Sequence, residues 1–308
     1  MLTSRAELLP YKGNFYLWKY VPSMAAAIIF ILLFGLCSVA HTWKMFNHRM
    51  WFCLPFVIGG YLEVVGFVGR AAATNATDQL IPYCIQSVFL LVPPSLFAAS
   101  IYMTLGRIIR GLGSAAESCS IIRVRWLTTI FVVGDFFSFM IQSGGAGFMA
   151  AGSNAKMGEN IVVAGLVIQI LFFCLFVAAA LLFHLRYRQH SVVSKAFGRS
   201  SFNLRQAITQ RGDAKASWES MMSMLYATSA LILARCVFRI IEYGMGSEGY
   251  LLAHEWTLYI FDGILMVAMM VIFYIWYPSQ VYSIGEAEAE RQYTMGSQEL
   301  HGGGRSDI

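Results

Sequence analysis

Charge is what this chain has least of. Asp, Glu, Lys and Arg together make up 13% of its 308 residues, about half the share of an ordinary soluble domain. So little charge cannot cover a globular surface, which excludes a disordered chain, a coiled coil and an ordinary cytosolic enzyme. Proline is scarce at 7 residues, and the 6 cysteines (Cys37, Cys53, Cys84, Cys119, Cys174 and Cys236) stand singly without a CxxC pair. Neither a disulfide framework nor a zinc site is expected from that spacing. No G-xxxx-G-K-[ST] phosphate loop occurs, so movement coupled to the chain's own ATP hydrolysis is not expected. The histidines (His41, His48, His184, His190, His254 and His301) fall at the ends of apolar blocks or between them. They lack the three-ligand spacing of a hydrolytic metal site. We expect no enzyme, no metal and no cofactor.

What the chain has in abundance is apolar length. Hydrophobic residues make up 57% and aromatics 15%, and the mean hydropathy is +0.60. Blocks of about 20 apolar residues read as membrane-spanning helices. Seven are legible: Val21–Ala40, Phe52–Ala73, Ile81–Ile108, Trp126–Met149, Asn160–Leu185, Met221–Ile241 and Trp256–Tyr277. The fold class is therefore all-α, a polytopic seven-transmembrane-helix bundle. The third span carries Pro93-Pro94 near its middle, so a kink is expected there.

The net charge of +5 is an orientation signal, not a nucleic-acid signal. Fifteen Lys and Arg residues lie in loops one, three and five and the C-terminal tail, against four (Arg5, Lys12, Lys19 and Lys156) in the N-terminal segment and even loops. The bias predicts a cytosolic C-terminus and an external N-terminus. No apolar signal-peptide core occurs in the first 20 residues, so span one is the expected targeting signal. Residues 1–20 read as an extracellular segment, 21–277 as the transmembrane domain and 278–308 as a disordered cytosolic tail. Loop five, near Arg186 to Ser220, is strongly basic and suits contact with anionic inner-leaflet lipid. Asn75-Ala76-Thr77 is a glycosylation sequon in outer loop two, close to the bilayer.

Ionisable groups inside spans are costly, so each is a functional candidate. Glu63 and Arg70 share one face of span two, where Gly59, Gly66 and Gly69 let another helix or a head group approach. Gln86, Asp135, Gln142 and Gln169 follow in spans three to five. Arg235, Arg239 and Glu242 form one stripe of span six, and Glu255 and Asp262 are seven apart at the start of span seven. With the orientation applied, Glu63, Asp135 and Gln169 fall near mid-bilayer and the rest in the outer half. A polar cavity closing near the membrane centre is the expectation. Glu63, Asp135, Gln142, Gln169 and Asp262 are its substrate-binding candidates. Arg70, Arg235, Arg239, Glu242 and Glu255 are the ion-pair cluster, with pairings such as Arg239 to Glu255 or Arg70 to Asp262. Five carboxylates against three guanidiniums suit a cationic, amine-bearing ligand.

The strings GYLEVVGFVGR, IQSVFLLVPPSLFAASIYMTLGRII, GDFFSFMIQSGGAG, GLVIQ and RCVFRIIEYGMGSEGYLLAHEWTLYIFDGILM resemble the fungal lipid-translocating exporter family, the RTA-like proteins. The resemblance runs from about Phe52 to Gln280. It implies a seven-span protein that exports or translocates sphingoid long-chain bases or similar amphiphiles and confers resistance to toxic lipids; one branch of the family is associated with porphyrin and haem. The match carries over Glu63, Arg70, Gln86, Pro94, Tyr102, Arg107, Asp135, Gln142, Gln169, Arg235, Arg239, Glu242, Glu255 and Asp262. Phe67 stands where the family's tyrosine is expected. Membrane lipids, cationic amphiphiles above all, are the implied partners, and the plasma membrane the implied location, with vacuole and endoplasmic reticulum as alternatives. A seven-span lipid sensor is the competing reading.

Overall fold

A computed structural model describes residues 18, 20–151, 155–197, 204–245, 251 and 254–277. Both termini, including the expected tail, and residues 198–203 of loop five lie outside the described residues; the rest of loop five continues the helices Ala155–Phe197 and Leu204–Gly244. Among the described residues, seven helices are long and apolar enough to cross a membrane: Met24–Asn47, Trp51–Ala73, Leu80–Gly111, Val124–Met149, Lys156–Gln189, Trp218–Gly244 and Glu255–Ile275. They are the seven spans read from hydropathy, each longer or shifted by a few residues because helices continue past the apolar block into polar caps. The chain is an all-α, multi-pass integral membrane protein.

Successive spans pack side by side, span seven closes the ring against span one, and span three also reaches span six. Span three is accordingly the most buried. Lipid tails provide no hydrophobic drive between helices, so close backbone approach has to hold them together. The glycines supply it. A Cβ on Gly59 would meet the Phe97 ring at 2.8 Å, and one on Gly66 would meet Leu90 at 2.6 Å, so span two lies directly on span three. Spans four and five meet at Gly145 and Gly158, where a Cβ on either would lie within 2.8 Å of the other's carbonyl oxygen.

Two spans depart from a plain α-helix. Span three is divided at Val92 into Leu80–Leu91 and Pro93–Gly111. Pro93 and Pro94 have no N–H, so the carbonyls of Phe89 and Leu90 lose their helical donors. Span seven holds one π-helical turn, Tyr259–Ile264, between Glu255–Leu258 and Leu265–Ile275. Such turns are rare and concentrate at functional sites.

The two ends of the bundle differ in chemistry. Towards loops one, three and five the core is aromatic and sulfur-rich. Phe56 lies 4.2 Å from Phe273 and 4.6 Å from Phe97 between ring centroids, beside buried Met266, Met269 and Met270. Lys44 fastens span one to span seven there, donating to the Tyr274 carbonyl at 2.6 Å. The buried charged residues, by contrast, lie from mid-span towards loops two, four and six.

Candidate functional site

The charged side chains sort into three groups. The first is built on Arg70, which is 0% exposed. Its guanidinium donates to Tyr259 Oη at 2.9 Å, Gln86 Oε1 at 3.1 Å, Tyr20 Oη at 3.0 Å and Glu255 Oε1 at 2.8 Å. The segment leading into span one is tied to the same node. The Ser23 amide donates to Glu255 Oε1 at 2.7 Å, Thr74 Oγ1 donates to the Pro22 carbonyl at 3.1 Å, and Trp18 sits edge-on to Tyr83. Trp18, Tyr20, Pro22 and Ser23 thus form a strap over spans two, three and seven. Phe67 is enclosed in the ring stack beneath, 5.1 Å from Phe30, and Tyr259 brings the hydroxyl that reaches Arg70.

The second group joins spans six, seven and three. Asp262, inside the π-helical turn, pairs with Arg235 at 2.7 Å and also with Arg239. Arg239 reaches Glu242 one turn on at 2.9 Å. Arg235 donates through Nη2 to the Leu90 carbonyl at 2.8 Å, the group that Pro94 leaves without a helical donor. A guanidinium therefore completes the broken backbone ladder, as membrane helices with internal proline require.

These pairings correct the ones expected from sequence. Arg70 takes Glu255 rather than Asp262, and Arg239 takes Asp262 rather than Glu255. Seven residues on a regular α-helix would put Glu255 and Asp262 on one stripe; the wide turn between them sends each to a different arginine. Asp262 is consequently a shared counter-ion of two cations. The glycines of span two are also covered, by Leu90, Phe97 and Ile85 of span three.

The third group is uncompensated. Glu63 is 1% exposed, and among the described residues it forms no hydrogen bond or ion pair, although it feels the charges of Arg235, Asp262 and Arg239. Asp135 is 3% exposed. Its Oδ2 accepts the Tyr102 hydroxyl at 2.8 Å, while its Oδ1 is buried with no partner. Towards loop four on span four, Gln142 donates to Gln169 Oε1 at 2.9 Å, and Gln169 turns its amide to Ser95 Oγ at 3.4 Å. Asn75 is exposed in the turn between spans two and three. Sequence reasoning missed Tyr20, Tyr259, Ser95 and the Leu90 carbonyl. Only the proline pair signalled that last group, since it marks unsatisfied carbonyls one turn upstream.

A seven-helix bundle with paired arginines at one end and two uncompensated carboxylates near its centre defines a class: integral membrane proteins built around an intramembrane polar site. The RTA1-like protein family matches residues 56–284, and the chain belongs to it. It is 34% identical to Protein RTA1 of Saccharomyces cerevisiae over 91% of each chain. It is 30% identical to Protoporphyrin uptake protein 1 of the same yeast, covering 85% of this chain and 91% of that one. Sphingoid long-chain base transporter RSB1 of that species is 25% identical, over 84% of this chain and 72% of its own. No solved structure matches.

Proposed function

We propose that this protein is a transporter, not an enzyme, which moves amine-bearing amphiphiles such as sphingoid long-chain bases across the plasma membrane. Its N-terminus is external and its C-terminus cytosolic. The observation that carries the reading is Glu63, a buried mid-span carboxylate with no hydrogen bond or ion pair among the described residues, in a bundle whose buried arginines Arg70, Arg235 and Arg239 are engaged elsewhere. An unpaired carboxylate at such depth costs about 2.5 kcal/mol or more, even on insertion scales. A ligand ammonium is the complementary partner. Apolar side chains such as Ile58 and Val65 on the outside of span two suit an acyl chain that stays in lipid. The named long-chain base transporter among the relatives supports the same substrate class.

The test is movement of labelled long-chain base in proteoliposomes holding only this protein. Wild type is expected to move it, and Glu63→Gln to fold and reach the membrane in normal amount yet lose transport. Binding without movement in wild type would favour a sensor, and full transport by Glu63→Gln would remove the head-group site from this residue.

A further inference from the structure

Asp135 is a second uncompensated carboxylate, and its surroundings differ from those of Glu63. The Tyr102 ring that brings a hydroxyl to Oδ2 is itself enclosed by Phe131, Phe173 and Phe176, with centroids 5.5, 6.1 and 4.4 Å away. The titratable groups facing Asp135 are Tyr102 from span three and Cys236 from span six. Span five contributes Phe173 and Phe176, and among the described residues no Lys, Arg or His pairs with Asp135. One neutral hydroxyl does not balance a buried carboxylate charge, and Oδ1 has nothing.

We infer that Asp135 and Tyr102 form a proton-binding site that couples amphiphile movement to a proton gradient. The inference rests on the transport reading above. A proton adds to Oδ1 from one face of the membrane as an O–H bond, while Oδ2 keeps the Tyr102 hydrogen bond, and it leaves to the other face when that bond breaks. One proton crosses in exchange for one substrate cation, so charge balances without a further reactant. A hard cation such as sodium would call for a shell of several oxygen ligands, and Asp135 has one hydroxyl beside it. Oδ2 is already held by the Tyr102 hydroxyl, which leaves one buried oxygen to take a proton. The link between the two sites is span six: the charge of Arg235 acts on Glu63, and the adjacent Cys236 feels both Asp135 and Asp262. Neutralising Asp135 therefore alters the field on a helix that also bounds the head-group site.

The probe is a trimethylammonium long-chain base, whose fixed charge prevents it from crossing as a neutral amine and being trapped by the gradient. In proteoliposomes with an imposed pH difference, it is expected to accumulate on the acidic side by about tenfold per pH unit for one-for-one exchange. Asp135→Asn is expected to lose that accumulation while still equilibrating the probe. Tyr102→Phe, which keeps the ring, is expected to shift the pH of half-maximal accumulation. Undiminished accumulation by Asp135→Asn, or accumulation driven by a sodium gradient instead, would overturn the inference. In solubilised protein the infrared difference between wild type and Asp135→Asn is expected to contain a carboxylic acid C=O band. A carboxylate in that difference spectrum at every pH would overturn protonation independently of transport. Equilibration without any response to pH would refute coupling and leave the transporter reading standing; no movement at all would refute both coupling and that reading.

Discussion

Asp262 provides a sharp test of the electrostatic scheme. It bridges two guanidiniums, while Glu242 reaches only Arg239. Asp262→Asn therefore strands Arg235, whose remaining acceptor is the Leu90 carbonyl. Removing one partner of a buried ion pair costs about 3–5 kcal/mol, because the other charge stays buried and unpaired. Here a spare carboxylate stands by: Glu63 has no partner of its own, and Arg235 is the foremost cation acting on it. In the Asp262→Asn protein Glu63 is expected to take over Arg235 and recover part of the loss. The double variant Asp262→Asn/Glu63→Gln should then be less stable than the sum of the singles, with a coupling of about 1–3 kcal/mol. Unfolding in bicelles, followed by steric trapping for the four proteins of the cycle, measures it. Strictly additive losses, or an Asp262→Asn protein as stable as wild type, would refute the idea that Glu63 and Asp262 answer to the same cation.

Two further outcomes follow from packing and topology. Gly145→Ala puts a methyl 2.8 Å from the Gly158 carbonyl oxygen, whereas Gly144→Ala meets nothing within 4 Å; the first is expected to lose about 1–3 kcal/mol and the second to stay near wild type, read as monodisperse yield in detergent. A protease-cleavable tag after Ile308 is expected to survive protease added to intact cells and to be cut only after permeabilisation, and cleavage from outside would reverse the proposed orientation.

The spans were legible because hydropathy blocks need only composition, and the proline pair because a missing N–H acts locally. Which polar residues are buried was legible too: Glu63, Arg70, Asp135, Arg235, Arg239, Glu242 and Asp262 are all inside. The pairings were not. They depend on which helices are neighbours and on their rotation, and a helical periodicity carried through Glu255 and Asp262 misses the π-helical turn. Backbone partners such as the Ser23 amide and the Leu90 carbonyl have no side-chain signature at all. The glycine face of span two was read correctly as a contact surface. Whether a ligand or Leu90 occupies it is a matter of tertiary packing, which one helix does not encode.

The wide turn in span seven has a consequence for how this stretch can change. Removing one residue between Tyr259 and Ile264 would restore an ordinary helix and leave everything beyond it facing much as before, because a π-helical turn holds one residue more than an α-helical one. Met266, Met269, Met270 and Phe273 would stay in the core they fill, while Asp262, inside the turn, would lose the aim that brings it to two arginines. Substitution is far gentler: Ile260 and Ile264 point outward, and other apolar residues can replace them there. What this segment transmits is a count of residues more than a choice of them.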